Sequence, residues 1–544
     1  MRRFSTSGRD GQSTETSFSG SHQQLLAGIT ADKSSWSTNT GFLTASLAFS
    51  LSHHSLLLLP VAVIRHGGAA FLLVYSVLLL LLGVPLFLTE MFLGQYSSLS
   101  CLQLYHNLCP LMSGLGVAIY VTVILRTVEN VSLLVWLSRA LYDIFSVLEP
   151  ASPSLEKVSQ LAQQPPSAEK MFALESSELI SLAVIIIALL LLSLGGVRGL
   201  GHLSRLTVTA SVLVLVSLVT RAALASQGWA GLTSLLAPDW TVVTRPTTWA
   251  TALSHLVLST HLGTGVLSTF ASNNNYSHNI LRDVTVLSGG HLVWTVLASL
   301  LVSSLLGLAG VKADQENVLH CLTTASTAMA ALKHGWLWLG LVFILFIIVT
   351  ISNTLGYITL IISIVPRFRR AVSTPISLSV IFFLSLILVN KTGPAIFLLV
   401  STNLTSWPPV LFCLLTSVLL AWSHGLHYLD CDLTSMTGIL TPHLIISHLT
   451  TSLYSLTPLG LAASLYYLLQ EVAQTNILLL ATIGLPLLPL VLGSFVMIIR
   501  ALNNYPSTVV STECLTPVWS DKVGLLHESD KVKGCRRYVR DCQM

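Results

Sequence analysis

Two serines flank a pair of histidines at Ser52-His53-His54-Ser55, inside an apolar run from Phe49 to Pro60. A second polar interruption, Ser259-Thr260-His261-Leu262-Gly263-Thr264-Gly265, lies between apolar halves much later in the chain. His255, His291 and the pair Arg126 and Glu129 also sit in apolar surroundings. Imidazole titrates near neutrality, relays protons and binds transition metals. Hydroxyls recapture backbone groups freed where a helix breaks, and glycines at 263 and 265 weaken a helix. An arginine and a glutamate three residues apart on one buried helix suggest a mutual ion pair. If the glutamate faces elsewhere, the arginine is left to hold a carboxylate. The chemistry on offer is therefore the binding of ions, protons or a small solute. The bland alternative is that neutral histidines satisfy local backbone groups and that Ser, Thr and Gly only pack helices. No nucleophile–base spacing or phosphate loop gives an enzyme any footing, and the eight cysteines show no zinc-type spacing, so no metal site is assigned.

Only 9% of the 544 residues are charged and 53% are hydrophobic, against about 25% charged in soluble domains. The chain is thus expected to be an all-α polytopic membrane protein, with the lipid bilayer as its first partner. The net charge of +4 is small and offers nothing to nucleic acid. Windows of about 20 apolar residues predict twelve transmembrane helices, near 42–64, 70–93, 113–138, 177–195, 203–225, 248–271, 284–309, 335–364, 374–390, 394–421, 440–468 and 476–500. Residues 1–38 and 501–544 are expected to be cytosolic tails, the first of them disordered, around a transporter domain over 39–500. An even number of spans puts both termini on one side. The Lys and Arg bias, including the short loops around 198–205 and 366–370, makes that side the cytosol. Of the glycosylation patterns, Asn390-Lys391-Thr392 is the one expected outside. Interruptions in spans one and six occupy corresponding places in two five-span halves, about 42–225 and 248–421. Paired interruptions of this kind point to an inverted-repeat transporter with broken helices 1 and 6 and a midplane site.

The motifs support this organisation. Trp36 precedes span one, and Pro60 followed by Gly67-Gly68-Ala69-Ala70-Phe71 and Tyr75 looks like FPY…GGGAF…PY. The run from Gly83 to Glu90, then Gly94-Gln95, looks like GIPLF..E…GQ; Phe270 to Asn274 with Arg282-Asp283 looks like YSSYN…RD; Trp422, Gly425 and Met436-Thr437-Gly438 echo a WxYG…MxG run. In this order and spacing, across most of residues 36–500, the chain resembles the neurotransmitter:sodium symporter (solute carrier 6) family. The resemblance implies sodium-driven uptake of amino acids or related amines, often with chloride, by alternating access.

Carried over residue by residue, the resemblance puts the solute among Phe49, Ser52, His54, Arg126, Asn130, Leu133, Leu258, Ser259, His261, Thr264, Asn353 and Tyr357. The sodium and chloride positions fall on Ala48, Ser50, Leu51, Ser55, Ser259, His291, Thr295, Val349, Ser352 and Asn353, and the gates on Leu58 and Asn273, where Arg2 or Arg3 could supply a cation. Several departures coincide with these sites. Ser55 replaces an asparagine ligand, His291 another asparagine, Leu58 an arginine, and Asn130 the tyrosine that fixes a substrate carboxylate. Sodium takes hard oxygen ligands, and imidazole nitrogen is a poor substitute, so these replacements weaken the first sodium site. No organic cofactor is expected. Three readings stay open: a carrier for a small amino-acid-like or amine solute in the plasma membrane, the same carrier coupled to protons through its core histidines, and a transport-inactive accessory or trafficking subunit. A membrane-protein partner or a second copy of the chain stays open with them.

Overall fold

The computed structural model describes residues 36–147, 153–163, 174–311, 318–330, 332–365, 370–425, 429, 432–434, 436, 443–475 and 479–503. The expected tails, with Arg2 and Arg3, lie almost wholly outside them. The described residues form helices and no strands. Helices occupy each of the twelve expected windows. Among the described residues seven are long and apolar enough to cross a membrane alone, and the bent pair Thr40–Ser50 and His54–Arg65 makes an eighth.

Lipid and protein share the work of burial. The most apolar stretch of α6 (Ser113–Val147) is 72% buried by the rest of the chain, whereas that of α8 (Ser176–Ser193) is 11% buried and that of α9 (Gly196–Ala223) 22%. Ile180, Val184, Ile187, Leu206 and Leu213 are exposed side chains on those outer helices, as expected where hydrocarbon is the solvent. The central helix α6 packs along α15 (Gly335–Ser363), and the two form one wall of the site.

The first break follows from the serines. α1 (Asn39–Ser50) ends as Leu51 turns extended, with φ −81° and ψ 99°. Ser52 Oγ then accepts the N–H of Ser55 at 3.1 Å while Ser55 Oγ accepts the N–H of Ser52 at 2.8 Å. This reciprocal arrangement is a capping box. It starts a π turn, His54–Leu58, that runs into α2 (Leu59–Arg65). The two halves of the span bend by 57°.

The second break lies between α11 (Pro246–Thr260) and α12 (Val266–Ala271). His261, Gly263 and Gly265 all have positive φ, at 57°, 77° and 71°. A Cβ on Gly263 would stand 2.3 Å from the Pro409 carbonyl oxygen, so only glycine fits there. The Gly263 N–H, freed by the break, is taken by Glu90 Oε1 from α4 (Val84–Ser97), which gives that buried carboxylate a structural role.

Candidate functional site

The two breaks face each other. Ser52 Oγ donates to the Ser259 carbonyl at 3.3 Å, and His54 Nε2 and His255 Nδ1 are 3.2 Å apart, one imidazole donating to the other. Beside them Phe49, His261 and Tyr357 make a ring cluster, with centroids 5.1 Å from Phe49 to His261 and 5.4 Å from Phe49 to Tyr357. Tyr357 Oη bonds His261 Nδ1 at 3.1 Å. Spans one, six and eight are thereby drawn together by the residues expected to meet a solute. Thr264 turns its hydroxyl back onto the His261 carbonyl at 2.7 Å, and Leu133 and Leu258 are buried apolar side chains.

The positions expected to hold ions are occupied by protein groups. Ser55 Oγ donates to the Ser52 carbonyl at 2.9 Å and accepts the indole N–H of Trp294 at 3.1 Å. Asn353 Nδ2 donates to the carbonyls of Leu51 at 2.8 Å and Val349 at 3.1 Å. His291 Nε2 lies 2.9 Å from Tyr75 Oη and 3.4 Å from Ser259 Oγ, with Tyr75 and Ser259 themselves 3.0 Å apart. Thr295 bonds the His291 carbonyl at 2.9 Å, Ser50 the Leu47 carbonyl at 2.9 Å and Ser352 the Ile348 carbonyl at 3.0 Å, while Ala48 is simply buried. These hydroxyls and carbonyls thus each have a protein partner, Asn353 Oδ1 is left as a buried oxygen without one among the described residues, and imidazole stands where an amide oxygen was expected.

Residues 33–159 and 155–506 match the sodium:neurotransmitter symporter family. The chain belongs to that family. Among its relatives are the sodium- and chloride-dependent creatine transporter 1 of Oryctolagus cuniculus, 23% identical over 466 residues that cover 75% of this chain and 73% of the relative. The sodium-dependent dopamine transporter of Bos taurus is 24% identical over 457 residues, 75% of this chain and 65% of its own. The sodium-dependent serotonin transporter of Drosophila melanogaster is 25% identical over 364 residues, 60% and 58% of the two. This is a polytopic membrane transporter of the symporter family and not an enzyme.

Family membership makes the differences from sequence expectation informative. Arg126 and Glu129 do not form the expected ion pair. Arg126 Nη2 donates to the Thr405 carbonyl and Glu129 Oε1 accepts from the Thr405 hydroxyl at 3.2 Å, so both converge on one residue between α17 (Gly393–Leu399) and α18 (Pro408–Val418). Asn390 is 5% exposed, and its Oδ1 accepts both the N–H and the hydroxyl of Thr392. At the gate positions Leu58 packs against the core, while Asn273 bonds its own helix through the Thr269 carbonyl at 2.8 Å. Asn273 also lines a cavity of about 270 Å3 with Arg198 and Arg370, while Arg2 and Arg3 lie outside the described residues. Sequence reasoning missed Thr405 and Trp294. Trp294 carried a signal, lying three residues after His291 on one helical face; Thr405 carried none.

Proposed function

We propose that the chain is a secondary active carrier for a small amino-acid-like or amine solute, working by alternating access about the crossing of helices one and six. The observation that carries this reading is the meeting of two helix breaks, Ser52 on the Ser259 carbonyl and His54 on His255. Backbone irregularity at membrane depth is tolerated where it lines a site. Spans one, two, six and seven rock against the remaining scaffold, with both termini cytosolic and the plasma membrane as location. The solute contacts Phe49, Ser52, His54, Asn130, Ser259, His261, Asn353 and Tyr357. Sodium and chloride dependence belongs to the relatives by name. In this chain the engagement of Ser55, Leu51, Val349 and His291 with protein partners favours coupling to protons, for which the hydrogen-bonded pairs His54–His255, His261–Tyr357 and His291–Tyr75 are the candidate relay.

Uptake into vesicles holding the purified chain, with sodium and proton gradients imposed separately, tests the reading. The expected result is uptake that follows the proton gradient, stays flat to sodium, and disappears in His261→Ala. A second reading, a transport-inactive accessory subunit, is favoured by the ring cluster that fills the centre of the site. Absence of uptake under either gradient, together with a membrane protein whose surface delivery depends on this chain, would establish it in place of the first.

A further inference from the structure

Glu90, on α4, is 7% exposed, and its two carboxyl oxygens are treated differently. Oε1 accepts the Gly263 N–H within the second break, while Oε2 has no partner among the described residues. Thiols and a phenol wall it in. A Cβ on Gly263 would stand 3.0 Å from Cys413 Sγ and one on Gly265 2.7 Å from Cys101 Sγ, so both sulfurs pack on the glycines of the break. The titratable groups within electrostatic reach of Glu90 are Cys101 and Tyr105 from α5 (Cys101–Leu108) and Cys413 from α18. Tyr105 Oη is itself paired with Thr416 Oγ1 at 2.9 Å. His261, two residues before Gly263, bonds Tyr357 and feels the charge of Arg126. Among the described residues no arginine, lysine or histidine acts on the Glu90 carboxyl.

An ionised carboxylate taken out of water needs a counter-ion or several donors, and Glu90 has one backbone N–H. A neutral carboxyl suits the same walls, its carbonyl oxygen accepting that N–H and its hydroxyl carrying the proton. Sodium takes several hard oxygens, and the described residues gather no group of three His, Cys, Asp or Glu that could hold a metal ion. A proton asks for one oxygen. α4 also meets α12 backbone to backbone, because a Cβ on Gly94 would stand 2.0 Å from the Ser268 carbonyl oxygen. Spans two and six therefore travel as one body, while α5 and α18 belong to neither. We infer that Glu90 is the carrier's proton-binding group: Oε2 holds a proton while spans two and six rest on α5 and α18, and gives it up to water when they rock away. The ionised carboxylate then opposes the return of both spans to that wall until a proton is bound again.

The inference rests on the transport reading for coupling, but infrared spectroscopy tests the proton without it. The full chain in lipid nanodiscs should show, at about pH 7 where solvent-facing carboxyls are ionised, a neutral-carboxyl C=O band that Glu90→Gln removes. Glu90→Asp, which keeps an acid on a shorter side chain, should displace that band, and it serves if Glu90→Gln is not monodisperse on size exclusion. In vesicles, uptake of labelled glycine, γ-aminobutyrate or butylamine should rise about tenfold or more under an inward proton gradient in the wild-type chain and about twofold or less in Glu90→Gln. A spectrum unchanged by either substitution, or uptake by Glu90→Gln that follows the gradient as the wild-type chain does, would overturn the proton site. A band assigned to Glu90 without uptake of any of the three solutes would keep the proton site and discard the carrier of those solutes. Gradient-driven uptake with no Glu90 band would keep the carrier and discard the proton site.

Discussion

Ser52 and Ser55 cap one another across the first helix break, each hydroxyl accepting the other's backbone N–H, at 3.1 Å and 2.8 Å. The break is thus closed by its own side chains. Ser55 Oγ also receives the Trp294 indole N–H at 3.1 Å, tying the cap to α13 (Ile280–Ala309). Ser55→Ala removes a cap and leaves a buried indole donor unmade. It should lower stability by about 2–4 kcal/mol, read as an earlier thermal unfolding of the purified chain. Ser50→Ala, which removes a hydroxyl bonded only to the Leu47 carbonyl, should change it far less.

Asn353 fills the space between the Leu51 and Val349 carbonyls with its own amide N–H groups, at 2.8 Å and 3.1 Å. A cation would have to share each of these carbonyl oxygens with the amide donor. Sodium should therefore leave the thermal unfolding of the wild-type chain unchanged when it replaces a bulky organic cation. Asn353→Ser withdraws the competing donor and supplies a hydroxyl oxygen, and should gain a sodium-dependent rise in unfolding temperature. An equal sodium response in both chains would show that the amide does not block the position.

Much of this arrangement was legible in the sequence, and the part that was not has a physical cause. Apolar windows mark helices because a bilayer demands them, and polar insertions at Ser52–Ser55 and Ser259–Gly265 mark breaks because freed backbone needs hydroxyls and glycines. Hydropathy says nothing of which side a helix faces. α8 is overwhelmingly apolar yet largely exposed to lipid, while α6 carries Arg126, Glu129 and Asn130 and is buried. Pairing across the fold was equally hidden. Arg126 and Glu129 are three apart and invite an ion pair, but both reach Thr405, which is distant in sequence. Whether a serine or asparagine binds an ion or a neighbour depends on which lone pairs the fold leaves free, and residue type alone does not carry that.

Outside the spans, Lys157 on α7 (Pro153–Ala162) pairs with Glu175 at the start of α8. The lysine's hydrogen bond is the main cause holding the Glu175 carboxyl below its usual range. A carboxyl with a depressed folded-state pKa stabilises fully above its unfolded value, and that contribution is lost as pH falls through the folded value. Both side chains are substantially exposed, so the pair is screened and contributes about 0.5 kcal/mol or less. A double-mutant cycle with Lys157→Met and Glu175→Gln should show this small coupling at neutral pH and less of it at about pH 4.

Phe49 occupies the middle of the site. Its ring lies 5.1 Å from His261, 5.4 Å from Tyr357 and 5.9 Å from Phe270, and a Cβ on Gly356 would stand 2.5 Å from it. A solute crossing between spans one, six and eight must displace this ring. Phe49→Ala should cost about 3–5 kcal/mol of stability if the void does not collapse. It should also open the centre to water, because His261, Tyr357 and Ser259 offer polar groups to line it. Thiol labelling reads the difference. A cysteine placed by Ser259→Cys should stay protected from a small charged thiol reagent in the otherwise wild-type chain and become modified once Phe49→Ala is added. Equal labelling in both backgrounds would mean that water already reaches Ser259 past the ring, and that Phe49 is not the side chain that closes the site.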